Sequence, residues 1–248
     1  MHINIYNSKE ELGKDAAEKA ADVIRKNLQE KAETNIILAT GASQFEMLNN
    51  LVQQPGIDWK RVRMFHLDEY AGLSDTHPAS FRKYLQERFV DKVNGLKEVC
   101  FVRGDHPDLQ EEIRRLNEKI STHPIDLACV GIGENGHLAF NDPPADFEVE
   151  DPFIVVELDE ACRNQQFGEG WFNSLKDVPL KAISMSIKHI LKSAHIICTV
   201  PDERKAPAVK NCLEGEITPQ HPASILQKHP HCHVFLDSGS ASLVTGTT

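Results

Sequence analysis

No apolar run in this sequence approaches the roughly 20 residues that a membrane-spanning helix requires. The opening Met1-His2-Ile3-Asn4-Ile5 lacks a charged segment followed by an apolar one, so no secretory signal is expected. There is no Cys-x-x-Cys pair. Cys100, Cys129, Cys162, Cys198, Cys212 and Cys232 are scattered, mostly within apolar runs. That argues against a disulfide framework and for reduced core thiols in a cytoplasmic protein. Positive charge is also short: 27 Lys and Arg against 37 Asp and Glu leave a net −10. General attraction to nucleic acid or to an anionic membrane is thereby excluded, although a few converging donors can still hold a phosphate. Repeats, low-complexity tracts and an obvious interdomain linker are absent too. One domain over residues 1–248 is therefore expected, with residues 142–180 as a candidate mobile cover.

What is present is an alternation of short apolar runs with longer amphipathic stretches. Strands are expected at Ile3–Tyr6, Asn35–Ala39, Arg63–Leu67, Asp126–Val130, Ile154–Leu158, Ala182–Met185, His195–Val200 and His233–Asp237. Helices are expected at 10–32, 45–53, 78–93, 109–120, 186–191 and 203–213, and loops around the strand within 142–171. This pattern predicts an α/β fold: a doubly wound, mostly parallel sheet with helices on both faces. Ligands in such folds sit beyond the carboxyl ends of the strands.

Four segments in those places can carry chemistry. Thr40-Gly41-Ala42-Ser43 joins a strand to a helix and suits a phosphate, or is a plain capping turn. Asp68-Glu69 ends a strand; a carboxylate there can act as a base, or be surface charge. Gly131-Ile132-Gly133-Glu134-Asn135-Gly136-His137 lets backbone approach a ligand and supplies a proton-exchanging imidazole, which Asn135 and Asp142 could hold. Its Gly-x-Gly-x-x-Gly spacing is not read as a nucleotide fingerprint, because it runs into Asn141-Asp142-Pro143-Pro144 and not into a helix. Asp202-Glu203-Arg204-Lys205 opens a helix and can offer Lys205 to an anion. His229-Pro230-His231-Cys232-His233 is dense in ligand types, but its spacing fits no zinc pattern and no metal is expected.

Taken together, the segments resemble the glucosamine-6-phosphate deaminase (isomerase) family. The likeness rests on His66-Leu67-Asp68-Glu69-Tyr70, on Gly131-x-Gly133 through His137 to Phe140-Asn141-Asp142-Pro143, and on Phe172-Asn173-Ser174-Leu175 followed by Lys205-Ala206. It implies a Rossmann-like fold related to ribose-phosphate isomerases and coenzyme A transferases. It also implies conversion of glucosamine 6-phosphate to fructose 6-phosphate and ammonia without a cofactor. Asp68 would move the proton between C2 and C1, and His137 would open the sugar ring with Asn135 and Asp142 behind it. Thr40, Gly41, Ala42, Ser43, Glu69, Gly136, Arg163 and Lys205 are the expected substrate and phosphate contacts. Asp142 stands where the family usually has Glu, and Gly168–Phe172 lacks the Arg that the family places before its aromatic pair. The partner is a small hexosamine phosphate; a homo-oligomer is compatible with the sequence. The alternatives are a 6-phosphogluconolactonase-like hydrolase and a non-catalytic sugar-phosphate sensor. A sensor usually carries a DNA-binding segment ahead of the domain, and here the first strand begins near residue 2.

Overall fold

Thr34–Leu38 is buried at all five positions, which a strand permits only when both faces of its sheet are covered. In the computed structural model, which describes residues 1–246, this strand lies inside a seven-stranded parallel sheet. The strands are β1 (His2–Tyr6), β2 (Thr34–Leu38), β3 (Val62–His66), β4 (Asp68–Tyr70), β5 (Glu98–Cys100), β6 (Leu127–Val130), β7 (Phe153–Glu157), β8 (Lys181–Met185), β9 (His195–Val200) and β10 (Cys232–Asp237). The helices are α1 (Lys9–Glu30), α2 (Phe45–Leu51), α3 (Phe81–Arg88), α4 (Leu109–Ser121), α5 (Glu160–Gly168), α6 (Ile187–Ile190) and α7 (Ala206–Glu214).

The large sheet runs β1-β10-β9-β6-β2-β3-β5. Ile36 and Leu38 face the core layer of α1 and α2, and Ile37 between them faces the layer of α4 and α7. From β2 the chain winds outward through β3 to β5; from β6 it winds the other way through β9 to β10. The gap beyond the carboxyl ends of β2 and β6 is therefore the switch point where such sheets open a crevice. No described helix is long and apolar enough to cross a membrane.

Several boundaries depart from the sequence expectation for local reasons. The helix expected over 78–93 starts at Phe81, because the Ser80 hydroxyl accepts from the Lys83 N–H and caps it. The helix expected over 203–213 begins with a 3₁₀ turn, Glu203–Lys205, and becomes α-helical at Ala206, beside Pro207. Residues 142–171 are not only loops around a strand: α5 lies there, capped by the Asp159 carboxylate on the Cys162 N–H. β4 was not expected as a strand. It pairs antiparallel with β8, as β7 does on its other side, in a separate three-stranded sheet.

Gly13 marks where α1 and α2 touch. A Cβ on it would lie 2.7 Å from the Glu46 carbonyl carbon and 2.9 Å from the Met47 nitrogen, both backbone atoms. Alanine elsewhere in a helix gains up to ~1 kcal/mol over glycine. Here the helices must separate, so Gly13→Ala is expected to cost about 1–3 kcal/mol. Thermal unfolding checks this; an unchanged or raised midpoint would show that α2 moves freely.

Candidate active site

The crevice is a cavity of about 390 Å³ at the switch point. Four segments that follow parallel strands line it: Thr40–Ser43 after β2, Leu67–Asp68 after β3, Gly131–Gly133 with His137 after β6, and Pro201–Lys205 after β9. Residues of α5 and its cap close one side.

One end gathers the groups that could receive an anion. Gly41 has φ +90°, a backbone state that side-chain-bearing residues rarely adopt, and it turns the chain into the Ala42–Gln44 3₁₀ turn. Tyr84 Oη donates to the Gly41 carbonyl at 2.9 Å. Fully buried Gln44 donates to Ser43 Oγ at 3.1 Å, to the Val130 carbonyl at 3.2 Å and to Thr199 Oγ1 at 2.8 Å, and so binds the ends of β2, β6 and β9 together. Lys205 is 7 % exposed and makes no ion pair among the described residues. Burial lowers its pKa, with Glu169 and Glu134 pulling the other way. Arg204 stands at the rim, held by Asp202 at 2.8 Å and Glu134 at 3.4 Å.

Asp68 is 6 % exposed, and burial together with neighbouring Glu69 pushes its carboxyl up to about 8. Adjacent strand residues point to opposite faces, so Glu69 points away from the cavity that Asp68 lines. Glu69 is therefore not a cavity residue. It accepts from the Tyr70, Phe81 and Arg82 N–H groups and from Ser80 Oγ, with the Arg82 guanidinium 3.7 Å away. It anchors the start of α3 behind Asp68.

His137 is set by its own loop. Its N–H donates to Asn135 Oδ1 at 3.0 Å, and its Nδ1 lies 3.3 Å from Asp142 Oδ1. Asn135 Nδ2 donates to the same Asp142 oxygen at 3.0 Å, and the Asp159 N–H donates to the other at 3.1 Å. Burial raises the Asp142 carboxyl, but the adjacent His137 ring and the bonds from Asn135 and the Asp159 N–H outweigh it and hold it below the usual range. Asp142 thus reaches the ring despite its short side chain, and Asn135 acts on Asp142 and on the loop backbone, not on the ring. Cys162 joins His137 and Asp142 in a group whose ligand-type atoms lie within 4.8 Å of one another; burial keeps its thiol protonated. Asn141 donates to the Leu138 and Met185 carbonyls, both at 2.8 Å, and Ser184 Oγ accepts from the Phe140 N–H at 3.0 Å. Because Ser184 also pairs with Asp68 across β4 and β8, these bonds fix the imidazole relative to the carboxylate.

Two further expected contacts lie elsewhere. Gly136, at φ +86°, packs against Cys212 and His221, and its carbonyl accepts from the Ala223 N–H. Arg163 donates to the carbonyls of Leu175 at 2.8 Å and Val178 at 3.3 Å, and it does not line the cavity. Conversely, Lys9, Gln165, Gln166, Glu169 and Arg204 line the cavity without having been singled out from sequence. Asp159-Glu160 ahead of seven residues without Gly or Pro was the available signal for α5 and its glutamines.

A methyl group on Gly133 would overlap the His137 ring. The backbone there is ordinary, so Gly133→Ala is expected to fold, turn the imidazole, and lower kcat at least about ten-fold. Retained kcat with an unaltered circular dichroism spectrum would contradict this.

A family model described as glucosamine-6-phosphate isomerases/6-phosphogluconolactonase matches residues 7–234. The chain belongs to this family. Among its isomerase/lactonase relatives, the glucosamine-6-phosphate deaminase of Thermoanaerobacter pseudethanolicus is 36% identical over 98% of this chain and 95% of its own length. That of Lactobacillus delbrueckii subsp. bulgaricus is 35% identical over 98% and 100%. A solved monomeric glucosamine-6-phosphate deaminase superposes with a TM-score of 0.89 at 33% identity, covering 98% of this chain and all of that one. The 6-phosphogluconolactonase of Trypanosoma brucei superposes at 0.80 with 14% identity, a likeness of fold alone.

Proposed function

We propose that this chain converts glucosamine 6-phosphate and water to fructose 6-phosphate and ammonia, a step of amino-sugar catabolism. The observation that carries the reading is one cavity lined by the buried Asp68 carboxyl, the His137 imidazole and the Lys205 ammonium, which has no ion-pair partner among the described residues. Relatives of 35–36% identity that bear the deaminase name support it.

Lys205 and the turn from Thr40 to Ser43 hold the phosphate, and this remote binding energy sets the reacting carbons against Asp68. His137, backed by Asp142, gives a proton to the ring oxygen as the C1–O5 bond breaks, and takes up the proton that the C1 hydroxyl loses as it becomes the aldehyde. The exposed aldehyde acidifies C2–H. Asp68 takes that proton and leaves an enolamine; return of a proton to C1 gives an imine at C2, which water hydrolyses to ketone and ammonia. A carboxyl that titrates near 8 can both take and give back a proton at neutral pH. A pure sensor would have no use for that property.

The lactonase-like hydrolase reading is set aside: the solved 6-phosphogluconolactonases are 14–20% identical, which speaks only for the fold. The test is incubation with glucosamine 6-phosphate and a joint assay of ammonia and fructose 6-phosphate. Absence of both products from that sugar and from galactosamine 6-phosphate would remove the proposal.

A further inference from the structure

Glu169 is an acid at the end of the cavity where an anion is expected. It caps the C-terminus of α5, and one of its carboxylate oxygens comes within 4.0 Å of where a side chain on Gly41 would begin. It shares the cavity wall with Lys205 and Arg204. Its field is the largest of those that favour the charged form of Lys205. Yet it forms no ion pair with either cation among the described residues. Its carboxylate accepts one side-chain hydrogen bond, from Gln165 Nε2 at 3.1 Å. A carboxylate held by one neutral donor is weakly anchored. The flanking Gly168 and Gly170 run through open space, since a Cβ on either would meet no atom within 4 Å.

We propose that Glu169 is a resident anion which the substrate's phosphate displaces from the Lys205 end of the cavity, and that it thereby decides which anions the site accepts. This deepens the sugar-phosphate reading above and rests on it. A phosphate that enters while the carboxylate is in place meets a like charge a few ångström away. A free inorganic anion brings no other contacts to offset that repulsion or the swing of Glu169. A hexosamine phosphate brings its sugar, which reaches Asp68 and His137 in the same cavity. Glu169 therefore selects against small free anions by repulsion, and the sugar supplies the attraction that overcomes it.

The test compares the parent chain with Glu169→Gln and Glu169→Asp. Inorganic phosphate is titrated into each by calorimetry, and KM for glucosamine 6-phosphate is measured beside it. The glutamine variant is expected to bind phosphate about ten-fold more tightly, with a smaller fall in KM, while the aspartate variant stays near the parent. Phosphate binding no tighter in Glu169→Gln, or an equal gain in Glu169→Asp, would overturn the proposal. Tighter phosphate binding in a chain that turns over no hexosamine phosphate would uphold Glu169's role and remove the proposed reaction. Turnover with unaltered phosphate affinity would do the reverse.

Discussion

Asp68→Asn is expected to lower turnover of glucosamine 6-phosphate by about 10³-fold and, in the same protein, to raise its stability. Asparagine has the shape of the carboxyl but cannot accept the C2 proton. The stability gain follows from linkage. Burial pushes the Asp68 carboxyl up to about 8 in the folded chain, against 3.8 for a free aspartate. Below 3.8 both states are protonated and the group contributes nothing differential. Between these values the unfolded chain releases the proton and the folded chain keeps it, so stability falls as pH rises and levels off above about 8. Replacing the carboxyl with a neutral amide removes that loss, about 5 kcal/mol at pH 8, and raises the unfolding midpoint by about 10 °C or more. The parent's kcat/KM should rise with pH up to about 8 and then flatten, with this limb absent from the residual rate of the variant. Full turnover in Asp68→Asn would end the assignment of the base. Loss of activity together with loss of stability would instead mean that the substitution damaged the fold.

Lys205→Gln is expected to cost about 10² in kcat/KM for glucosamine 6-phosphate, through the loss of a buried charge on the phosphate. The deficit should divide between KM and kcat, because phosphate binding also positions the reacting carbons. Lys205 is 7 % exposed, so the change also removes a buried charge, and the fold is expected to survive. Lys205→Arg keeps the charge in a different shape and should recover part of the affinity. Inhibition by inorganic phosphate should weaken along with substrate binding. An unchanged KM in the glutamine variant would show that the phosphate lies elsewhere.

The inner strands of the large sheet were legible because they are apolar on both faces and alternate with amphipathic stretches; the edge strand β5, only Glu98-Val99-Cys100 and half-exposed, was not expected. Leu127–Val130 running into Gly131 is the clearest case. β4 was not, because Asp68-Glu69-Tyr70 becomes a strand only through β8, more than a hundred residues later. The same long-range pairing decides that Asp68 faces the cavity and Glu69 does not, so two adjacent acids looked equivalent. Asp142 was expected beside His137, but its reach depends on the Asp159 N–H and Asn135, which turn it toward the ring. Arg163 carried the right charge for a phosphate, and only the folded chain shows its Nη2 turned to the Leu175 and Val178 carbonyls. Arg204 and Glu169 escaped notice because each is an ordinary charged residue next to a more conspicuous neighbour.

The three-stranded sheet has a consequence for how this scaffold can be altered. Lys205 and the Thr40–Ser43 turn hang from the ends of β9 and β2 in the parallel sheet, whereas Asp68 is carried by β4 against β8. On the proposed reading, the phosphate grip thus hangs from the parallel sheet alone, while the base is also paired into the small sheet, which Ser184 and Asn141 tie to the His137 loop. Substitutions along β8 can retune or silence the base and leave the grip in place. A chain changed in that way becomes a binder of the same sugar phosphates without becoming a different fold.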